Sequence, residues 1–330
     1  MHEGNREEPL QAEIVESPFA YPPEIAERVS APPPRRIWLA LVLFLLTVIS
    51  TLAVGAQFAI SYAHNEAPFA NADDLLGTFS APFLHPKLLL LGVPFSFALL
   101  GILLAHELGH FFACRYYGID ASYPYFIPAP TLFGTFGAFI RIRSPITTRR
   151  ALFDVGLSGP VAGFLFTIPA LALAVQHSKI VPGVEADAPI IFGHPLLLRL
   201  FIYLFHPGIR PEDLLLHPIA RAAWVGMFAT ALNLIPCWQL DGGHILYSLA
   251  SRNHRRISLG VALLLFAVGL LFWHVWAIWG FVLLILSLRY RHPPLLYRWE
   301  GLGAERRLWA FAGILIFILC FTLWPTNNSF

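Results

Sequence analysis

Two histidines and a glutamate lie in an otherwise apolar stretch, "LLAHELGHFF", at residues 103–112. If this stretch is a helix, His106 and His110 are four residues apart, about 40° around the axis, and project from one face. Two imidazoles in this arrangement can bind one zinc ion at about 2.0 to 2.1 Å. Glu107 lies beside the first histidine, where its carboxylate can reach a water molecule at the metal without binding the metal. The spacing therefore predicts a metal site with a general base.

A catalytic zinc site has three protein ligands and an open position, so a third ligand must come from elsewhere in the chain. Asp241 is the strongest candidate, because it is the only acidic residue between Asp213 and Glu300. His244 is an alternative ligand on the same helical face, although it suits a hydrogen-bonding partner of the aspartate equally well. His106 and His110 could instead form hydrogen bonds to neighbouring helices. This interpretation does not account for the glutamate between them.

The elements that must position these residues are membrane-spanning helices. Of the 330 residues, 57% are hydrophobic and only 13% are charged, whereas soluble domains carry about 25% charged residues. A formal net charge of +2, without long blocks of like charge, argues against a nucleic-acid partner. The composition therefore indicates an all-α polytopic membrane protein surrounded by a lipid bilayer.

About seven apolar stretches are long enough to span a bilayer, which takes about 20 residues. The expected spans are 37–63, 88–117, 151–175, 219–250, two within 257–288, and 308–324. The fourth is interrupted by "NLIPCWQLDGG", where Pro236 and the pair Gly242 and Gly243 are expected to break or bend the helix. The fifth and sixth are expected to form a tight helical hairpin that turns near Trp273.

Arginine-rich connections fall on one side of these spans, which predicts a cytoplasmic amino terminus, and we expect the bacterial inner membrane. Residues 1–36 are polar and proline-rich and predict a disordered cytoplasmic tail, followed by a membrane domain at 37–325 and a short tail at 326–330. Residues 190–206 predict an interfacial or re-entrant helix. If this segment spanned the membrane, the orientation of everything after it would invert.

The predicted topology also bears on the third metal ligand. The second and fourth spans run in the same direction, and both end near arginines on the predicted cytoplasmic side. At 1.5 Å per residue, His106 and Asp241 each lie roughly 15 Å from that interface. The two candidate ligands are therefore expected at one depth.

Three motifs follow one another in the chain: "AHELGH", "YFIPAPTLFGTFGAFIRIRSPITTRRALFDVGLSGPVAGF" and "NLIPCWQLDGGH". Together they resemble the site-2 protease family of intramembrane zinc metalloproteases over about residues 88–250. They are most similar to the branch of plastid proteases called ethylene-dependent gravitropism-deficient and yellow-green. The resemblance implies one zinc ion per chain held by His106, His110 and Asp241, with Glu107 as the general base.

The resemblance also implies a place for the substrate. Asn233 matches a residue that positions the substrate or stabilises the oxyanion. A short membrane-embedded extended or β-hairpin region is implied between the second and third spans, and its residues would pair with an unwound substrate helix by strand addition. These residues are Gly134, Thr135, Phe136, Gly137, Ala138 and Phe139. A plain buried turn is the alternative interpretation of this segment.

The implied function is hydrolysis of a peptide bond in or near a transmembrane segment of a membrane protein, in regulated intramembrane proteolysis or in membrane protein turnover. Two alternatives use the same residues: a metal or proton transporter, and a catalytically idle membrane-binding homologue. Loop 176–217 is too short for the PDZ domain of many bacterial relatives, and we expect the CBS domains of others to be missing as well. Nothing in the sequence selects a substrate or an oligomeric state.

Overall fold

The structure of the chain is a computed structural model that describes residues 37–69, 84–185, 188, 190–295 and 301–327. The expected tail at residues 1–36 lies outside the described residues. So do the last three residues of the expected carboxy-terminal tail and most of the connection between the first two spans.

Helices form most of the described chain. They are α1 (Ile37–His64), α2 (Pro86–Leu89), α3 (Val93–Tyr116), α4 (Arg149–Gln176), α5 (Leu196–Phe205), α6 (Pro218–Asn233), α7 (Asp241–Ala250), α8 (His254–Leu271), α9 (His274–Arg289) and α10 (Ala304–Cys320), with 3₁₀ turns at Leu90–Gly92 and Pro211–Asp213. Among the described residues, four segments are long and apolar enough to cross a membrane: Ile37–His64, Pro86–Tyr116, Arg149–Gln176 and His254–Leu271. The mostly helical, multi-pass architecture is confirmed, while the count of seven spans stays a prediction.

Short strands accompany the helices. β1 (Tyr125–Pro128) and β2 (Thr135–Phe139) form an antiparallel hairpin between α3 and α4, in the place where an extended region was expected. Two further antiparallel pairs were not expected from the sequence. Each strand in them has two residues: β3 (Lys179–Ile180) pairs with β5 (Leu214–Leu215), and β4 (Ile191–Phe192) pairs with β6 (Thr326–Asn327).

The fourth predicted span is broken, as expected, between α6 and α7. Pro236 lies in the break, but Gly242 and Gly243 lie inside α7, so the prediction that they break the helix is wrong. Their role is close packing. A Cβ atom on Gly242 would lie 2.1 Å from the carbonyl oxygen of Leu234, and one on Gly243 would lie 2.5 Å from that of Cys237. The glycines therefore allow the first turn of α7 to fold back against the break.

The other expected elements fall near their predicted places. α8 and α9 form the predicted hairpin, with the turn at Phe272 and Trp273. α5 has ten residues, about 15 Å of helix, which is too short to span a bilayer. α10 begins four residues before the expected seventh span and ends at Cys320, because Phe321 leaves the helical backbone conformation.

Large apolar side chains cover the outside of the helices. Trp38 is 64% exposed, Leu264 is 64% exposed and Phe311 is 67% exposed, on α1, α8 and α10 respectively. The buried core, in contrast, includes Phe95 on α3 and Trp224 on α6. An apolar exterior of this kind is stable in hydrocarbon and costly in water. The surface therefore matches a lipid environment.

A buried ion pair joins α6 to the connection that follows α4. The Arg221 guanidinium donates to the Glu185 carboxylate across 2.7 Å, and both side chains are 2% exposed. His194 lies 3.5 Å from the other oxygen of the same carboxylate. Burial by itself would raise the pKa of Glu185, but the charge of Arg221 and the contact with His194 outweigh it and hold that pKa below its usual value. Glu185 therefore stabilises the fold in its ionised form.

We predict that Glu185→Gln lowers the stability of the chain by roughly 3 kcal/mol at pH 7, because it leaves Arg221 buried without a counter-charge. The pKa of Glu185 is lower in the folded chain than in the unfolded chain, where a glutamate has a pKa of about 4.3. The ion pair therefore contributes its full stability above the pKa of the unfolded state, and this stability is lost as the pH falls through the pKa of the folded state. The difference between parent and variant should therefore shrink in acid. Thermal unfolding of the purified protein in detergent measures both effects.

The control for this experiment is Glu212→Gln, which changes an exposed residue of the same connection. The double variant Glu185→Gln with Arg221→Met should be more stable than Glu185→Gln alone, because it removes both buried charges. Equal unfolding temperatures for Glu185→Gln and Glu212→Gln at pH 7 would contradict the assignment.

Candidate metal centre

Three metal-ligating side chains meet between α3 and α7. His106 and His110 lie one helical turn apart on α3, and Asp241 is the first residue of α7. The Nε2 atom of His106 lies 3.2 Å from Asp241 Oδ2, and that of His110 lies 3.3 Å from Asp241 Oδ1. The two Nε2 atoms are 3.1 Å apart. Each carboxylate oxygen therefore faces one histidine, and the three groups form a small triangle.

The spacing of these atoms fits a tetrahedral zinc ion. Ligands at about 2.0 Å from zinc in tetrahedral geometry lie about 3.3 Å from one another, close to the three distances found. Both imidazoles are buried, with residue exposures of 5% for His106 and 7% for His110. Acceptor atoms that converge in a buried place need a donor or a cation between them. The residues present fit a zinc site.

A hydrogen bond on the far side of one imidazole orients it for metal binding. His110 Nδ1 lies 2.6 Å from the carbonyl oxygen of Val155 on α4. A carbonyl only accepts, so Nδ1 carries the proton, and Nε2 presents its lone pair toward Asp241 and His106. The backbone of α4 therefore sets the tautomer of a ligand on α3.

Glycine residues on α4, which have no side chain, make room for the ligands. A Cβ atom on Gly159 would lie 2.1 Å from His110 Nε2, and one on Gly163 would lie 3.1 Å from the Cβ of His106. On the facing helix, a Cβ on Gly109 would lie 2.4 Å from the carbonyl oxygen of Ser158. The two helices therefore approach closely enough for the imidazoles to lie against backbone.

Glu107 and Asn233 lie beside the three ligands. Glu107 is 5% exposed and faces the backbone of Ile140, just after β2. Asn233 is the last residue of α6, and its Nδ2 lies 3.2 Å from His106 Nε2. Both residues line the two cavities that also contain His106, so the sequence-predicted base and the predicted supporting residue come together with the ligands.

One edge of the hairpin borders the metal centre. Phe136, Gly137 and Ala138 of β2 line a cavity of about 130 Å³ together with His106 and Glu107. β2 pairs only with β1 among the described strands, so its other edge is not paired. Gly137 has a φ of 102°, a left-handed conformation that favours glycine, and Gly134 has a φ of 74° at the start of the strand. Thr135 and Phe139 complete β2.

His244, the alternative ligand, does not join the ligand triangle. Its Nδ1 lies 2.9 Å from Nε2 of His292, a residue in the connection just after α9. His244 also lines a cavity at the metal centre. In the described part of the chain, the group able to hold a metal ion is His106, His110 and Asp241.

Sequence reasoning missed three contributors: Val155, Gly159 and His292. The carbonyl of Val155 carries no sequence signal, because every residue has one. Gly159 is one of several small residues in the expected third span, and its type alone does not single it out. His292 lies 48 residues after His244, between the expected sixth and seventh spans, so no local pattern links the two.

The mostly helical membrane fold, with a metal-binding triangle beside a glutamate, defines a membrane protein with a metallohydrolase-type site. Residues 94–275, more than half of the chain, match the family model for Peptidase family M50. The chain therefore belongs to peptidase family M50. The match confirms the resemblance to site-2 proteases.

Curated plant proteins are similar over much of the chain. Probable zinc metalloprotease EGY1, chloroplastic, from Arabidopsis thaliana is 29% identical over 316 residues, which are 91% of this chain and 56% of that protein. Probable zinc metalloprotease EGY2, chloroplastic, from Oryza sativa subsp. indica is 33% identical over 198 residues, 58% of this chain and 35% of that protein. The chain spans about half the length of the EGY1 relatives it matches. No solved structure matches the chain significantly.

The names of these relatives bear on the cofactor and on the location. They describe zinc metalloproteases, in agreement with the ligand chemistry of the site. They also describe chloroplast proteins, which gives no support to the bacterial inner membrane that we expected. A multi-pass membrane location agrees with the apolar helices.

We predict that Gly159→Ala weakens zinc binding by about 10- to 100-fold, the range found when groups that orient a metal ligand are disturbed. The added methyl group would collide with the His110 imidazole and move its Nε2 atom. Competition with a chromogenic chelator measures the change in affinity.

Gly260→Ala is the matched control, because a Cβ at Gly260 on α8 meets nothing within 4 Å. It should bind zinc as the parent does, and both variants should keep the helix content of the parent by circular dichroism. Parental zinc affinity in Gly159→Ala would show that the α3 and α4 packing does not position the ligand.

Proposed function

We propose that the chain is a zinc-dependent intramembrane endopeptidase that hydrolyses a peptide bond in or near a transmembrane segment of another membrane protein. One observation supports it above others: the triangle of His106, His110 and Asp241 lies directly beside Glu107 and next to β2, a strand that pairs on only one edge among the described strands. Family membership supports the same reaction class. The proposal covers one zinc ion per chain, held by the two imidazoles and the carboxylate.

A bound zinc ion supplies Lewis-acid chemistry: it lowers the pKa of a water molecule and polarises the scissile carbonyl. Glu107 takes the proton from the attacking water and later delivers it to the leaving amide nitrogen. Its low exposure keeps bulk water from competing for that proton. The Asn233 side-chain amide, next to His106, donates a hydrogen bond to the oxygen on which negative charge develops.

The β2 strand binds the substrate. A helical peptide bond is shielded by its own hydrogen bonds, so the substrate segment must unwind before hydrolysis. An unwound segment then pairs with the free edge from Thr135 to Phe139 by strand addition, which satisfies its backbone groups within the membrane. Gly137 has no side chain to obstruct the approach of that strand.

An apolar cavity of about 380 Å³ next to the metal centre holds the side chains of the substrate segment. It shares the wall residues Leu103, Phe136 and Trp279 with the cavity at Glu107. Its remaining walls include Trp224 and Phe228 of α6. Aromatic and aliphatic walls favour a hydrophobic segment, as a transmembrane substrate is.

The proposal includes seven spans with a cytoplasmic amino terminus. α1, α2 with α3, α4 and α8 supply four spans, the broken pair α6 and α7 supplies one, and α9 and α10 supply two. The arginine-rich connections all fall on one side in this arrangement. The β1 and β2 hairpin then lies at membrane depth, where the two strands satisfy each other's backbone groups along their shared edge.

The two alternatives use the same residues in other ways. A metal or proton transporter needs His106, His110 and Asp241, but it does not need a glutamate beside the ligands and an unpaired strand edge. An idle homologue would lack part of the catalytic set, whereas the two histidines, the aspartate and Glu107 are all present.

We predict that Glu107→Gln abolishes proteolysis and keeps zinc, because the amide cannot accept the proton but does not disturb the ligands. His106→Ala and Asp241→Ala should lose both zinc and proteolysis. Elemental analysis of the purified protein measures zinc. Quantitative membrane proteomics of cells carrying the parent or Glu107→Gln identifies substrates as single-span proteins that accumulate intact in the variant, and purified parent should cleave them.

Controls are Glu212→Gln for the glutamate and His85→Ala for the histidine, since both residues are exposed and away from the centre. Cleavage at the parental rate by purified Glu107→Gln would eliminate the protease mechanism. Zinc-dependent transport by the parent in vesicles without any cleavage would favour the transporter. Full zinc occupancy in Asp241→Ala would contradict the ligand set.

A further inference from the structure

A second polar cavity lies behind the metal centre. Its volume is about 420 Å³, and it is enclosed by the connection from α7 to α8 and by the end of α9. Three arginines line it: Arg252, Arg255 and Arg291. We name it the arginine cavity. None of the ligand triangle and no residue of β2 belongs to its walls.

No carboxylate among the described residues balances the positive charge of this cavity. Arg252, Arg255 and Arg291 form no ion pair with a carboxylate in the part of the chain that the structure describes. The three residues are exposed, but three cations around one space still repel each other. An anion bound in the cavity would attract all three arginines and offset their mutual repulsion.

The start of α8 adds to the same field. A helix amino terminus carries partial positive charge and favours anions, yet the first turn of α8 contains Arg255 and no acidic residue. The side chain of Asn253 at the cap makes no capping hydrogen bond. The backbone N–H groups at the start of α8 and the guanidinium groups are all hydrogen-bond donors with partial or full positive charge, and they lie at the same cavity.

The histidines of the cavity contribute no charge of their own at neutral pH. Burial, together with the neighbouring His244, lowers the pKa of His292 to about 3. Both ring nitrogens of His292 already have partners, the carbonyl oxygen of Pro293 and His244 Nδ1, and the ring stacks on Tyr247. His292 is therefore a neutral wall, and the charge of the cavity comes from the arginines.

A phosphate group fits these walls best. It offers several acceptor oxygens and up to two negative charges, which match multiple guanidinium forks better than one carboxylate does. The serine hydroxyls of Ser258 and Ser287 lie in the same walls and can add uncharged donors. All three arginines follow or precede predicted span ends on the positively charged side, at the level of lipid headgroups.

The walls of the cavity also hold the turn that leads to Asp241. His254 Nε2 donates to the carbonyl oxygen of Trp238 across 3.1 Å, and the Trp238 amide donates to Ser258 Oγ across 3.3 Å. Trp238 has a φ of 51°, a strained conformation for a bulky residue, so these bonds are needed to keep it. Asp241 follows three residues later and begins α7.

We propose that the arginine cavity binds a phosphate group, from an anionic lipid headgroup or from a soluble phosphate, and that its occupancy stabilises the turn that positions Asp241. The binding part stands on the cavity alone. The effect on Asp241 as a metal ligand rests on the proposed function.

The binding test uses the purified full chain in neutral detergent, with unfolding temperature and tryptophan fluorescence as readouts. The probes are inorganic phosphate, short-chain phosphatidylglycerol, and short-chain phosphatidylcholine as the lipid without net charge, all at equal ionic strength. We expect phosphatidylglycerol, inorganic phosphate or both to raise the unfolding temperature by roughly 2 °C or more at saturation, with phosphatidylcholine inactive. A response to phosphatidylglycerol alone identifies a lipid headgroup, and a response to both identifies phosphate in general.

The variant combines Arg252→Gln, Arg255→Gln and Arg291→Gln. The matched control combines Arg256→Gln, Arg289→Gln and Arg307→Gln, because these arginines are also exposed but do not line the cavity. Both sets remove three charges. The cavity set should weaken binding by about tenfold or more, and the control set by less than about twofold. Arg291→Gln alone, expected to weaken binding to a smaller degree, serves if the triple variant does not fold. No response of the parent to either phosphate probe, or equal losses in both sets, would overturn the proposal.

The coupling test measures the rate at which a chelator removes zinc from the parent, with and without the active probe. We expect slower removal, by about threefold or more, when the cavity is occupied. An unchanged rate despite demonstrated binding would overturn the coupling to Asp241. Full zinc occupancy in Asp241→Ala would instead overturn the ligand assignment of the proposed function, while phosphate binding would still be measurable.

Discussion

The rest of the structure depends on the close approach of three acceptor groups between α3 and α7. His106 and His110 direct Nε2 atoms at the carboxylate of Asp241 in a buried place, 3.1 to 3.3 Å from one another. Without a metal ion or a proton between them this arrangement is unfavourable, because electron-rich atoms face each other and have lost water. The fold must therefore hold them rigidly enough for the metal to find them together, and several unusual features serve that purpose.

α4 is the scaffold that satisfies this constraint. Its glycines face both helices that carry ligands: Gly159 and Gly163 lie against the imidazoles of α3, and Gly156 lies against the backbone of Asp241 and the Cβ of His244. Side chains at these positions would push the helices apart. In a membrane there is little hydrophobic drive between helices, so close packing of small residues is the main attraction available. The same surface therefore supplies stability and places the ligands.

The sequence predicted the parts of this design that depend on local patterns. The HExxH spacing, Asp241 in a broken span and the α8 and α9 hairpin follow from side-chain type and periodicity, whereas the extended segment after the second span was implied by the family resemblance. It did not reveal contacts made between distant elements: the Val155 carbonyl behind His110, or the contact between His244 and His292. It also misread Gly242 and Gly243, because a glycine pair after a proline indicates a break, whereas here the pair permits packing of α7 on Leu234 and Cys237.

The metal centre lies between an apolar space and a more polar one, an arrangement that the proposed hydrolysis within a membrane would require. The apolar cavity, walled by Phe136 and Trp279, meets the centre from one side. On another side, a cavity of about 200 Å³ contains the ligands and is lined by further polar residues that include Gln239 and His244. A hydrophobic peptide segment partitions into the first space and water into the second. Glu107, the proposed proton acceptor, lines both the cavity at β2 and the polar one, and the cavity at β2 shares Phe136 and Trp279 with the apolar cavity.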